Sequence, residues 1–443
     1  MQIDQYTYLD LSIFHPEEEY SVFHRLNFTR TIGGKEYLMR YFRQPFDNVE
    51  KIKETQRIIQ LILERLDHWP MGISNGTMLV IDRFYDYQLD PLPDNANIIS
   101  AYTYRILHSP DYSLVNFSIG HFADFVRTLK ELIALFDDVD LPKKMQQLLE
   151  RARKLLNFEI IHEIAKRPKD KRYEVAETVY YGYYFHTIFK PASEVLLEIY
   201  SQFDAWYSMA MATKNFHLQL PEFVDAEDPY FEAEGLYHLL LQQPVPYDVK
   251  MNVDSNFIFL TGANMAGKST FIKSIGLNIF LAHIGLGVPA KSMTLSLFDG
   301  ILSNINVTDN IVKGESFFYN EVQRIKNTVV RINDGRKWLV LIDELFKGTN
   351  IQDAMKCSTT VIRGLINIRH ALFVLSTHLY EIGEDLRSYP NISFKYFETL
   401  ANEHELEFSY QLKDGISNDR IGYLILQREG VVEILEGLGR QNL

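Results

Sequence analysis

The sequence predicts an α+α/β protein, with a mostly helical region over residues 1–235 followed by an α/β region over 236–443. Three observations carry that expectation. Residues up to about Gly235 contain few glycines and long stretches with apolar residues at helical spacing. Beyond Gly235 short apolar strands alternate with helices. Between one such strand and an amphipathic helix lies Thr261–Thr270, TGANMAGKST.

In the first region Val49–Leu66, Phe122–Phe136, Met145–Ala165 and Ser193–Thr213 each place apolar residues at i, i+3, i+4 and i+7, the stripe of a packed helix. Pro91-Leu92-Pro93-Asp94, Pro142, Lys190-Pro191 and Leu220-Pro221 mark breaks. Tyr180, Tyr181, Tyr183, Tyr184 and Phe185 form an aromatic cluster suited to a helical core or subunit interface, or alternatively to stacking on bases. In the second region the expected strands are Phe257–Thr261, Trp338–Ile342, Leu372–Ser376, Ile392–Thr399 and Leu406–Leu412, a largely parallel sheet whose later strands turn antiparallel. The sequence holds no fixed-period repeat and no low-complexity tract.

Composition sets limits. The 443 residues are 46% hydrophobic and 23% charged, ordinary for a globular protein of two or three domains. The single Cys357 excludes an internal disulfide framework and a cysteine-based zinc site, which points to a reducing, cytoplasmic setting. The first 20 residues lack a basic segment followed by an apolar one, so no signal peptide is expected. No apolar run approaches the roughly 18 residues that suggest a membrane span, and no membrane partner is expected. A net charge of −13 argues against a surface coated for nucleic acid. Locally, Lys143–Arg172 has ten Lys/Arg against four Asp/Glu, a net of +6, either a solvated helix face or a basic patch.

The chemistry centres on TGANMAGKST. Gly262, then Ala263, Asn264, Met265 and Ala266, then Gly267, Lys268, Ser269 and Thr270 fit G-x-x-x-x-G-K-[ST], a loop whose backbone N–H groups cradle phosphates at a helix start. Lys268 would reach the β- and γ-phosphates of ATP, and the Ser269 hydroxyl would bind Mg²⁺. About 75 residues on, the apolar strand Trp338–Ile342 runs into Asp343-Glu344. Asp343 would serve the Mg²⁺ hydration shell and Glu344 the attacking water. Ser376-Thr377-His378 follows the next apolar strand, where a histidine can donate to the γ-phosphate. Between these motifs, DNIVKGESFFYNEV (309–322) places Ser316 at an expected helix start, with Glu321 further on. On spacing alone this is an ordinary capped helix or an anion site.

Together TGANMAGKST, GESFFYNEV, LVLIDELFKGTN and STHLYEI resemble the MutS mismatch-repair ATPase family, a branch of the ABC-type ATPases. The resemblance implies ATPase domains that pair, with Ser316 of one completing the other's nucleotide site, and hence a homodimer or a heterodimer with a related protein. Upstream, Thr29-Arg30-Thr31, Gly34, Leu38 and Gln44-Pro45-Phe46 resemble the start of the family's helical core or lever domain, and Ile199–Phe223 its returning helix. Tyr237-His238 and Val245–Asp248 resemble the segment near the adenine, with Tyr247, a candidate stacking residue, where Asn is frequent. The family's mismatch-reading and connector domains have no counterpart in these residues, and the DNA clamp is reduced or absent around 100–190. Phe317 replaces the usual Thr after the signature serine, Phe346-Lys347 replaces Gly-Arg, and Ala263 and Ala266 vary the loop. By family the partner is DNA, reached through Lys143–Arg172. The alternative is a nucleotide-switched module of DNA repair or recombination that docks a protein without direct DNA affinity. A small-molecule kinase would lack a visible acceptor site and leave His378 and Ser316 unexplained.

Overall fold

The computed structural model describes residues 1–94, 97–168, 171–306, 317–401, 406–417, 426–428, 430–432 and 434–435. Ser316 lies outside the described residues, as do two positions of the basic run, Lys169 and Asp170. The chain forms two compact units: Met1–Arg25, Pro45–Ile52 and Leu218–Leu443 in one, Leu26–Gln44 and Lys53–His217 in the other.

The first unit opens with β1 (Gln2–Ile3), α1 (Gln5–Asp10) and all but the last residue of α2 (Val22–Leu26). The second unit's regular structure is all helical among the described residues: α3 (Ile32–Arg43), most of α4 (Val49–Leu63), α5 (Asn75–Asp86), α6 (Ile98–Leu107), α7 (Ser109–Ala134), α8 (Lys143–Leu155), α9 (Glu159–Lys166), α10 (Val175–Tyr183) and α11 (Lys190–Asn215). The helix expected over Met145–Ala165 is in fact two, α8 and α9. Leu156 closes α8 and Phe158 takes an extended conformation, so each short helix aims its own apolar side (Met145 and Leu149, then Ile160, Ile161 and Ile164) into the core. Of the aromatic cluster, Tyr181, Tyr184 and Phe185 are buried, and Phe185 stacks on Phe122 with ring centroids 4.2 Å apart.

The tie between α3 and α11 explains the Thr31/Gly34 spacing. Asp204 of α11 is buried, and its carboxylate accepts the backbone N–H groups of Arg30 and Thr31 and the Thr31 hydroxyl at 2.6 Å. It thus satisfies donors that a helix start leaves unpaired. Thr31 caps α3 by accepting the Gly34 N–H. A Cβ on Gly34 would lie 2.1 Å from an Asp204 oxygen, so the side chain must be absent for the helices to approach.

The first unit continues with β2 (Glu222–Val224), β3 (Phe231–Leu236), β4 (Tyr247–Met251), β5 (Phe257–Thr261), α12 (Lys268–His283), β6 (Ser292–Ser296), β7 (Gly300–Asn304), α13 (Phe317–Ile332), β8 (Trp338–Asp343), α14 (Ile351–Leu365), β9 (Ala371–Ser376), α15 (Tyr380–Leu386), β10 (Ile392–Ala401) and β11 (Leu406–Asp414). Seven strands make the main sheet, in the order β1-β7-β8-β9-β5-β10-β11, and β2-β6-β3-β4 make a smaller one. All neighbours in the main sheet are parallel except β10 and β11. Its central strands FIFLT, WLVLID and ALFVLS are buried at every position, as strands covered on both faces must be. Phe257, Phe259, Val340, Ile342, Phe373 and Leu375 pack with Ile325 and Ile332 of α13 and Ile362 and Leu365 of α14. The N-terminal segment belongs to this unit: β1 extends the sheet edge beside β7, and Leu11 lies where a Cβ on Gly276 of α12 would be 2.8 Å away. No helix among the described residues is long and apolar enough to cross a membrane.

Candidate nucleotide site

Parallel strands β8, β9 and β5 end at one edge of the main sheet, the edge at which α/β folds bind ligands. The loop Gly262–Gly267 leaves β5 there and enters α12. Gly262, Met265 and Gly267 have φ of 137°, 68° and 102°, a left-handed path that folds the loop back on itself. Gly262 is required twice over, since a Cβ there would also lie 3.2 Å from the Phe397 carbonyl of β10. The turn exposes the start of α12, whose unpaired N–H groups and positive dipole end suit an anion.

Lys268, in the first turn of α12, is buried, and its Nζ donates to the carbonyls of Gly262 at 2.7 Å and Ala263 at 2.9 Å. Burial pulls its pKa down to about 8, against the opposing pull of Glu344 and Asp343. Ser269 donates its hydroxyl to Asp343 Oδ2 at 2.5 Å, while Ser376 donates to Oδ1. Sheet register makes this triangle, because Asp343 pairs with Ser376, and Ser376 in turn with Leu260 just before the loop. A hydroxyl and a carboxylate, both hard oxygen donors, are the ligand type that Mg²⁺ prefers. ATP and Mg²⁺ therefore fit these residues chemically.

Glu344 follows Asp343 in a left-handed conformation, φ 63°, and Phe346 repeats it at 60°. Such backbone costs about 1–3 kcal/mol per residue and persists only where neighbours enforce it. Here Glu344 N–H donates to the Ser376 carbonyl at 3.0 Å, and its carboxylate takes His378 Nε2 at 2.5 Å and Lys347 Nζ at 3.2 Å. Burial opposes its charge, but the interactions with His378 and Lys347 outweigh that and hold the pKa down to about 2. Glu344 is thus a carboxylate at neutral pH.

Of the residues the sequence singled out, Lys268, Ser269, Asp343, Glu344 and His378 meet at this edge. Tyr247 is buried on the flank of the loop, edge-on to Phe271 at 5.3 Å and to Phe397 at 5.7 Å, and burial raises its pKa to about 12. Two participants escaped sequence reasoning. Tyr410 of β11, 41% exposed and with φ 52°, brings its ring within 3.4 Å of a Cβ built on Gly267. Ser376 holds the second oxygen of Asp343. The Tyr410 position depends on β11 folding back beside β10, which no local pattern reveals. Ser376 was legible in principle, as the polar residue ending the strand next to Asp343.

Residues 258–435 match the family model for MutS domain V. The DNA mismatch repair protein MutS of Petrotoga mobilis is 29% identical over 53% of this chain and 29% of its own length. MutS of Bacillus subtilis is 29% identical over 54% of the chain and 28% of its own length. The DNA mismatch repair protein MSH3 of Candida glabrata is 30% identical over 52% of the chain and 23% of its own length. The match thus spans less than a third of each relative. The match of residues 258–435 to MutS domain V and the similarity to MutS proteins over half of the chain support a MutS-like family member.

Proposed function

We propose that the chain binds ATP with Mg²⁺ and hydrolyses it as a dimer whose nucleotide state controls a grip on DNA. The observation that carries this reading is the convergence of Lys268, Ser269, Asp343, Glu344 and His378 on one sheet edge. Lys268 places its ammonium against the phosphates, exchanging the Gly262 and Ala263 carbonyls for phosphate oxygens. Ser269 and Asp343 would hold Mg²⁺, which supplies charge neutralisation at the phosphates. Glu344, kept ionised, orients and accepts a proton from the attacking water, and His378 steadies Glu344 and donates toward the γ-phosphate. Residues Gly262–Thr270 wrap the phosphates, while Tyr247 supports the loop and Tyr410 offers an exposed ring for the base. Ser316 of the second subunit completes the site, as the family resemblance implies. In keeping with the relatives' names, the activity belongs to DNA mismatch repair or a neighbouring process.

Steady-state phosphate release tests the chemistry. Glu344→Gln is expected to retain ATP and lose nearly all turnover, and unchanged hydrolysis would remove Glu344 from its role. Mixing Ser316→Ala with Lys268→Ala chains should recover about one working composite site per mixed dimer, and a mixture as inactive as its parents would refute trans completion.

A second reading, a switched protein-docking module without DNA affinity, draws support from how the basic run is used. Lys144 lies over the Tyr41 and Trp206 rings, Arg153 pairs with Asp137, and Arg167 pairs with Glu177 and covers Tyr173. Those three cations serve the helical unit itself. Duplex binding that weakens steeply with salt favours the DNA reading.

A further inference from the structure

Glu321 is a carboxylate that the proposed hydrolysis does not use, yet it is 4% exposed in the second turn of α13. Burying a charge is costly unless it is hydrogen-bonded, and burial does push its pKa up. Its compensation comes from backbone. Oε1 accepts the Lys347 N–H at 3.0 Å and Oε2 accepts the Gly348 N–H at 3.2 Å. Those amides belong to the turn in which Glu344 and Phe346 hold their left-handed φ. Lys347 is held at both ends, its amide by Glu321 and its Nζ by Glu344.

Two further contacts press α13 against the same turn. A Cβ on Gly348 would be 2.7 Å from the Phe317 ring and 2.8 Å from the Phe318 backbone nitrogen, so helix and turn meet at backbone distance. The Phe318 and Phe346 rings pack at 5.7 Å. Three residues on from Glu321, Arg324 fixes α13 to the end of β7, donating to the Asn306 carbonyl at 2.6 Å and the Ser303 carbonyl at 3.0 Å. Buried Asp10 of the N-terminal segment closes that side, accepting the Ser303 hydroxyl at 2.5 Å and the Ile305 and Asn306 amides at 3.1 Å each. One helix is therefore bolted to two strand ends, to the turn after β8 by buried Glu321 and to the end of β7 by half-buried Arg324.

We infer that Glu321 is a positioning residue for ATP hydrolysis: by its two backbone hydrogen bonds it locks the 344–348 turn onto α13 and so aims the Glu344 carboxylate. This rests on the ATPase reading above. A carboxylate suits the task because both oxygens accept. In Glu321→Gln one oxygen becomes an N–H₂ that faces a backbone donor and leaves it unpaired. Misplacing a reacting group by about 1 Å can cost on the order of a hundredfold in rate.

The test uses the full chain, with amide exchange and ATP kinetics read together. In Glu321→Gln the Lys347 and Gly348 amides should lose protection, kcat should fall at least about tenfold, and KM for ATP should stay within about threefold. Gly348→Ala pushes the turn off α13 from the opposite side and should give the same split, and it decides the matter if Glu321→Gln fails to fold. An active parent whose two variants keep its kcat, or lose kcat and ATP binding together, overturns the inference and leaves the ATPase reading standing. A parent that exchanges these amides freely also overturns it. A parent without ATP turnover overturns both.

Discussion

At the scale of single residues, the nucleotide site is a study in opposed effects on charge. Lys268 is buried and Glu344 half-buried, yet desolvation wins at Lys268 and loses at Glu344. The difference is the partner. Glu344 has the Lys347 ammonium at 3.2 Å and a hydrogen bond from His378 at 2.5 Å, whereas Lys268 rests on neutral carbonyls. A consequence follows for ATP binding. Below about pH 8 Lys268 carries the charge that meets the phosphates; above it the free protein holds a neutral amine and must take up a proton to bind. ATP affinity should therefore fall about tenfold between pH 7 and 9. Fluorescent-nucleotide titrations at those pH values check this, and an affinity constant across that range contradicts it. The motif itself announced Lys268, but not the lowered pKa, because spacing says nothing about how much water surrounds an ammonium group.

At the scale of elements, helix ends and close approaches decide what a glycine is for. Gly34 and Gly120 both lie inside helices, α3 and α7, and no sequence pattern distinguishes their cost. A Cβ on Gly34 collides with Asp204, which three hydrogen-bond donors pin in place, whereas one on Gly120 meets nothing within 4 Å. Gly34→Ala should destabilise the helical unit by about 1–3 kcal/mol through overpacking and the loss of the α3 cap. Gly120→Ala should be neutral or stabilise it by up to about 1 kcal/mol, since alanine favours a helix interior. Urea denaturation of the two variants measures both, and equal effects would refute the packing argument. Periodicity located α4, α7 and α11, since each buries a continuous stripe. It missed the break between α8 and α9, where the stripe continues in sequence while the backbone changes direction at Asn157–Phe158.

At the scale of the whole molecule, the sheet-bearing unit depends on groups that must stay neutral. His283 of α12 is fully buried; its Nδ1 donates to the Ile279 carbonyl at 2.8 Å and its Nε2 accepts the Phe298 N–H at 3.0 Å. That arrangement fixes the neutral ring, and burial lowers its pKa to about 4, as it does for His238. The unfolded chain binds these protons near pH 6.5 and the folded chain only near 4, so stability is lost as pH falls through that window. The loss per histidine is on the order of 3 kcal/mol. Denaturation midpoints measured between pH 7 and 4.5 should fall, and His283→Leu should flatten the slope; an unchanged slope would place the acid sensitivity elsewhere. By itself the sequence determined the phosphate loop, the acidic strand end, the strand-terminal His378 and the alternation of strands with helices. Each of these is local, written in spacing and in the period of apolar residues. Only the tertiary structure decided that Asp10 would hold Asn306 across 296 residues, that Glu321 would grip the turn beyond Glu344, and that Tyr410 would lie over Gly267. These are contacts between distant segments, and their partners are chosen by sheet order and backbone approach, for which a linear pattern carries no signal.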